Sequence, residues 1–141
     1  MGKYFEILLI EDNISDVDLV KESLQNNGVI CHMNVVNDGF EAMAYLGQQG
    51  IYAKATRPDL IILDLNLPKK NGFEVLEEIK GYSNIAHIPV VILTSSQMAS
   101  DIKKCYQLHA NAYIVKPSNL TGFRNVIRQI ENFWFSVSEL P

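Results

Sequence analysis

The sequence predicts an α/β fold, a doubly wound parallel sheet, and three observations predict it. Short apolar runs alternate with amphipathic segments five times along 141 residues. The apolar runs have the length of strands and the segments between them the length of helices, so right-handed crossovers on a parallel sheet are implied. Each of four runs ends in residues able to carry chemistry: Glu11-Asp12 after 7–10, Asp64 after 60–63, Thr94-Ser95-Ser96 after 90–93, and Lys116-Pro117 after 112–115. In an open parallel sheet the carboxyl edge of the strands is where ligands bind.

The elements follow in order. Residues 5–10 read as a buried strand. Residues 15–25 read as a helix, because Val17, Val20 and Leu24 share one face, and Gly28 is its stop. Residues 30–36 form a strand of mixed polarity. Asp38 stands three before Glu41, a capping-box-like start for a helix through Leu46. Residues 47–57 form a long, surface loop. Residues 60–63 form the third strand. Asn71, three before Glu74, opens a helix whose apolar face is Val75, Leu76 and Ile79 and whose stop is Gly81. Pro89 precedes the strand 90–93, a weaker helix covers 99–108, and 112–115 is the fifth strand. The last helix runs from Leu120 to about Val137.

Composition bounds the reading. The length suits one domain with one core, so residues 1–141 are expected to form a single domain without an output domain. With 48% apolar and 20% charged residues the chain reads as soluble and globular. A net charge of −4 argues against nucleic acid as partner. No run approaches membrane-spanning length, no signal-peptide pattern stands out, and two cysteines make no disulfide framework, so a cytoplasmic protein is expected. Cys31 and Cys105 read as inert, partly buried thiols, and His32, His87 and His109 as ordinary structural residues.

The strand-end residues suggest a chemistry. Two carboxylates about 5 Å apart repel by roughly 3 kcal/mol at an effective dielectric near 20. Glu11, Asp12 and Asp64 gathered at one edge therefore need protons or a cation, and hard oxygen ligands suit Mg²⁺. Lys116 supplies a compact charge for a phosphoryl group and Thr94 a hydroxyl donor. Together they make a metal-assisted phosphoryl-transfer site. Taken alone, Glu11-Asp12-Asn13 reads equally well as a solvated turn, and Tyr113 as a plain strand aromatic.

With these motifs in order, the chain resembles the receiver domains of two-component response regulators from Phe5 to about Trp134. The resemblance implies a flavodoxin-like five-stranded sheet of order 2-1-3-4-5 with five helices. It implies Asp64 as phosphoacceptor and Glu11, Asp12, Asp64 and the Asn66 carbonyl as Mg²⁺ ligands, with Mn²⁺ able to substitute. Pro68 and Gly72 match the family's turn. Thr94 and Tyr113 are the implied switch residues, and Lys116 the implied phosphate sensor, with a cis bond to Pro117. Asn66 and Ser96, two residues past Asp64 and Thr94, are the positions expected to influence dephosphorylation. The loop 47–57, the string Asp64-Leu65-Asn66-Leu67-Pro68 and the C-terminal aromatics are similar to stand-alone receivers that partner cyanobacterial phytochrome kinases. Implied partners are thus a sensor histidine kinase, a phytochrome on the narrower resemblance, and a downstream protein or phosphotransfer partner, with neither nucleic acid nor membrane.

At about 100° per residue, Phe123, Ile127, Ile130, Trp134 and Val137 form the core stripe of the last helix. Phe133 and Phe135 fall roughly 80° and 120° off it. They are expected to be exposed and to form a homodimer interface with the fifth strand. A bent C-terminus would instead fold them onto their own subunit. Two other readings compete. A degenerate receiver would act only as a dimerisation or docking module. A haloacid-dehalogenase-like phosphatase would use Asp64 as nucleophile, although Asn66 stands where that chemistry wants a second aspartate.

Overall fold

The structure is a computed structural model that describes residues 3–24 and 29–141. Five strands, β1 (Lys3–Ile10), β2 (Val29–Val36), β3 (Leu60–Leu63), β4 (Val90–Thr94) and β5 (Ala112–Val115), form one sheet. All pairings are parallel and the order is β2-β1-β3-β4-β5, the flavodoxin-like arrangement. Helices α1 (Ile14–Ser23), α2 (Gly39–Leu46), α3 (Gly72–Gly81), α4 (Ala99–Gln107) and α5 (Leu120–Asn132) connect and complete it. The Gln25 end and the Gly28 stop expected for the first helix lie outside the described residues.

Alternation along the central strands divides the core in two. Leu8, Ile10, Ile61, Leu63, Val90 and Ile92 pack with α2 and α3 residues such as Leu46, Val75, Leu76 and Ile79. Their neighbours Ile7, Leu9, Leu60, Ile62, Val91 and Leu93 pack with Val17 and Val20 of α1 and with Phe123, Ile127 and Ile130 of α5. Both sheet faces are covered, so the apolar runs are continuous where a half-exposed strand would alternate with polar residues.

Short polar residues set the helix starts. Asn13, Asp38, Asn71 and Asn119 accept from Asp16, Glu41, Glu74 and Gly122 backbone N–H groups respectively. At α3 the capping box is reciprocal, with Glu74 also accepting from the Asn71 N–H. At α2 Glu41 reaches the Asn37 N–H instead. Gly81 is the last residue of α3 and not the residue past its end. The long loop contains a single 3-10 turn, Gly50–Tyr52, and Ile51 at 90% exposure confirms its surface position.

The C-terminus departs from the helical wheel. After Asn132 the chain widens into a π-helical turn, Phe133–Val137, closed by the Ser138 N–H donating to the Phe133 carbonyl. A wider turn advances each residue by less than 100°, so positions shift around the axis. Phe135 is thereby buried, only 1% exposed, and stacks on Phe5 with ring centroids 4.3 Å apart. The expected exposure of Phe135 in a dimer interface is overturned, and the bent-terminus alternative holds for it. Val137, expected in the core stripe, is 65% exposed, while Phe133 is half-exposed as expected. Phe135→Ala is expected to lower unfolding free energy by about 3–5 kcal/mol in urea titration, whereas Phe133→Ala shifts it by no more than about 0.5 kcal/mol.

Candidate functional site

The strand order reverses at β1, which lies between β2 and β3, so the crevice at the carboxyl ends of β1 and β3 is the topological switch point. Glu11 follows β1 and Asp64 follows β3, and both are buried. The next strand end contributes Thr94, and the loop after β5 contributes Lys116.

Lys116 joins these pieces. Its ammonium donates to Glu11 Oε1 at 2.6 Å, Asp16 Oδ2 at 2.7 Å and Asp64 Oδ2 at 2.8 Å. The lysine side chain is only 8% exposed. An ammonium has three donors, and here each meets a carboxylate. The other Asp64 oxygen, Oδ1, accepts from the Asn66 N–H at 3.2 Å. The cation required by the crowded carboxylates is thus supplied by the protein's own lysine.

The charges respond accordingly. Burial pushes the Asp64 carboxyl up, but the hydrogen bond and charge of Lys116 outweigh it and hold Asp64 below the usual range. Burial pushes Glu11 up to about 7; the Lys116 hydrogen bond opposes this and the Asp64 charge reinforces it. Burial disfavours the Lys116 ammonium, yet its bonds to Asp16, Asp64 and Glu11 raise it above the usual lysine value.

The loop after β3 is pressed against the site. A Cβ on Gly72 would lie 2.5 Å from the Asp64 carbonyl oxygen, so only glycine allows α3 to start there. Lys69 adopts the left-handed conformation with φ +67° and pairs with Asp38 at 3.4 Å. A Cβ on Gly39 would come within 2.2 Å of the Lys70 carbonyl oxygen, so α2 and this loop are also in close contact.

Of the sequence-predicted residues, the structure brings Glu11, Asp64 and Lys116 into direct contact. Asp12 is exposed, and Asp16 of α1 takes the third place at the lysine. The sequence reading missed Asp16. Its only signal is the Asn13 cap three residues earlier, which marks a helix start, not a site. Among the described residues no group of three or more His, Cys, Asp or Glu side chains is arranged to hold a metal ion. The donor types fit a hard cation, since Glu11, Asp12, Asp64 and the Asn66 carbonyl all offer oxygen.

Thr94 is fully buried; its Oγ1 has no hydrogen bond of ordinary geometry among the described residues, although it is near enough to Asp64 to help hold that carboxyl down. Such an orphan hydroxyl is costly unless a ligand satisfies it. Tyr113 packs against the α2–α3 core, and its hydroxyl donates to the Ser96 carbonyl at 2.9 Å. Its N–H donates to the Tyr106 hydroxyl at 3.1 Å. Ser96 Oγ is tied to Asp101 Oδ2 at 2.6 Å, which anchors the start of α4. The Lys116–Pro117 bond is trans, contrary to the expected cis form; the described chain has no cis bond. The ordinary trans preference is about 0.5–1 kcal/mol, and Lys116 reaches all three carboxylates from the trans form.

The family model for the response regulator receiver domain matches residues 7–128. The chain belongs to this family. It is 45% identical over 135 residues to response regulator Rcp1 of Synechocystis sp., covering 96% of this chain and 92% of that protein. It is also similar to the crystal structure of the phosphorylated cyanobacterial phytochrome response regulator RcpA. That match has TM-score 0.95 at 50% identity over 98% of this chain and 99% of the other. The Mn²⁺-bound form of Rcp1 matches with TM-score 0.93 at 44% identity, over 97% and 99%. Thr94→Val is expected to raise stability by about 1 kcal/mol in denaturant titration, because it removes an unpaired buried hydroxyl. An unchanged or lowered midpoint would mean that the hydroxyl is satisfied.

Proposed function

We propose that this receiver accepts a phosphoryl group on Asp64 from the phosphohistidine of a sensor histidine kinase. The observation that carries the reading is a buried Asp64 whose Oδ2 is held by the Lys116 ammonium, with the buried Thr94 hydroxyl at the next strand end. An Asp64 oxygen attacks phosphorus in line, the P–N bond breaks, and the donor imidazole keeps the electron pair. The Lys116 ammonium turns to the phosphoryl oxygens, and the Thr94 hydroxyl donates to one of them. Positioning and charge supply most of the rate. Mg²⁺, or Mn²⁺ in its place, held through Glu11, Asp12, Asp64 and the Asn66 carbonyl, would neutralise charge on the transferring group. The chain would thus catalyse only its own phosphorylation and dephosphorylation. Asn66 and Ser96 would influence the second step.

The names of the similar proteins RcpA and Rcp1 support a phytochrome as the kinase. A cytoplasmic location fits this partner, and no helix of the described residues is long and apolar enough to cross a membrane. The output would pass through the surface of α4, β5 and α5. Thr94 engagement would act on the end of β4 and on the loop that carries Ser96, whose carbonyl accepts from the Tyr113 hydroxyl of β5. A homodimer on β5 and α5 would use Phe133, 50% exposed, and Val137, with Phe135 excluded by its burial.

Incubation with Mg²⁺ and acetyl phosphate should add one phosphoryl mass to the wild type and none to Asp64→Asn, and a chelator should abolish the gain. Modification that persists in Asp64→Asn would refute the assignment. For the dimer, Phe133→Asp should move the sedimentation coefficient to that of a monomer; a persistent dimer would place the interface elsewhere.

A further inference from the structure

The three acceptors of the Lys116 ammonium come from three different elements. Glu11 ends β1, Asp64 ends β3, and Asp16 lies in the first turn of α1. Asp16 is the most solvated of the three, with its side chain 22% exposed against 3% and 6% for the others. Its backbone is fixed by the site itself. Glu11 Oε2 accepts from the Asn13 N–H at 3.2 Å, and Asn13 Oδ1 accepts from the Asp16 N–H at 3.1 Å. Lys116 and Asp16 also line a groove of about 370 Å³, with Leu19, Pro117 and Phe123.

We propose that Asp16 is a positioning residue for phosphoryl transfer, holding the Lys116 ammonium in the pocket by taking the third of its three N–H donors. This rests on the reading of Asp64 as phosphoacceptor. Glu11 and Asp64 are the groups that other ligands would engage during the reaction, so neither can anchor the lysine throughout. Asp16 stands apart from that chemistry and keeps a charged partner at the ammonium. The four-carbon stem of lysine is otherwise free to swing out into the groove, and a reacting group displaced by about 1 Å loses much of its effect. An acid in the first turn also favours the helix dipole, which gives Asp16 an ordinary structural use. The experiment must separate the two.

The full chain with ¹⁵N-labelled lysine side chains allows the Lys116 ammonium to be assigned by its loss in Lys116→Met. In the wild type this signal should be protected from proton exchange with water. Asp16→Ala should speed exchange about tenfold and slow phosphorylation by phosphoramidate with Mg²⁺ about tenfold. Asp16→Glu should restore both, and Asp16→Asn tests the charge with the shape kept. In the Lys116→Met background, Asp16→Ala should cause no further loss of rate. Unchanged ammonium exchange, or an equal rate loss in both backgrounds, would overturn the proposal and leave Asp16 a helix-start residue. Absence of any Asp64-dependent phosphorylation in the wild type would defeat the phosphoacceptor reading, and the exchange measurement would still decide whether Asp16 holds the lysine.

Discussion

One buried ammonium organises the carboxyl edge of this sheet. Asp64 and Glu11 stand at adjacent strand ends with almost no solvent to separate their charges. Without a cation they would repel by several kcal/mol or take up protons. Lys116 satisfies them and is satisfied in turn, since its three donors find three carboxylates. The contact ties the ends of β1, β3 and β5 to the start of α1. It also fixes the resting electrostatics: Asp64 stays ionised, while Glu11 is pushed up to about 7 by burial and by the Asp64 charge despite its bond to the lysine.

The loops around this site are also closely fitted. Gly72 touches the Asp64 backbone, Gly39 touches Lys70, and Lys69 bends back to Asp38. These contacts leave the loop after β3 little room to move away from Asp64. On the opposite side of the site, the loop after β4 is held by Tyr113 and by the Ser96–Asp101 bond. Between the two, the unpartnered Thr94 hydroxyl is the one buried side-chain polar atom without a bond among the described residues. Thr94 ends β4, and two residues on the Ser96 side chain is bonded to Asp101 at the α4 start, so this strand end and that helix start are joined by a short loop.

Burial at the C-terminus follows a different logic. A regular α-helix through Val137 would turn Phe135 outward, but the π-turn carries it onto Phe5. Burying a phenylalanine contributes roughly 1.5–3 kcal/mol, enough to favour one irregular turn. Phe133 and Val137 are left outward as a small apolar patch beside α5. The apolar surface of this helix end is therefore divided between the protein's own core and the solvent.

How much could be read without coordinates follows from the range of the forces involved. Strand and helix order, the caps at Asp38 and Asn71, and the placing of Glu11, Asp64, Thr94 and Lys116 at strand ends were all legible. Each depends on periodicity or on residues within one turn. The sheet order was legible through the resemblance, because several motifs in sequence restrict the alternatives severely. Asp16 was not legible, since its partner is 100 residues away and nothing local distinguishes it from a first-turn acid. The trans Lys116–Pro117 bond was missed because the cis form was taken from the resemblance, whereas the ordinary preference of an X-Pro bond is trans. Phe135 was misplaced because a helical wheel assumes one pitch, and the pitch here was decided by what lay within reach of the ring. The sequence by itself determined the fold and which acids, hydroxyl and lysine stand at its strand ends. Only the tertiary structure decided which charges meet and which aromatic is covered, because those outcomes are set by distances between elements far apart in the chain.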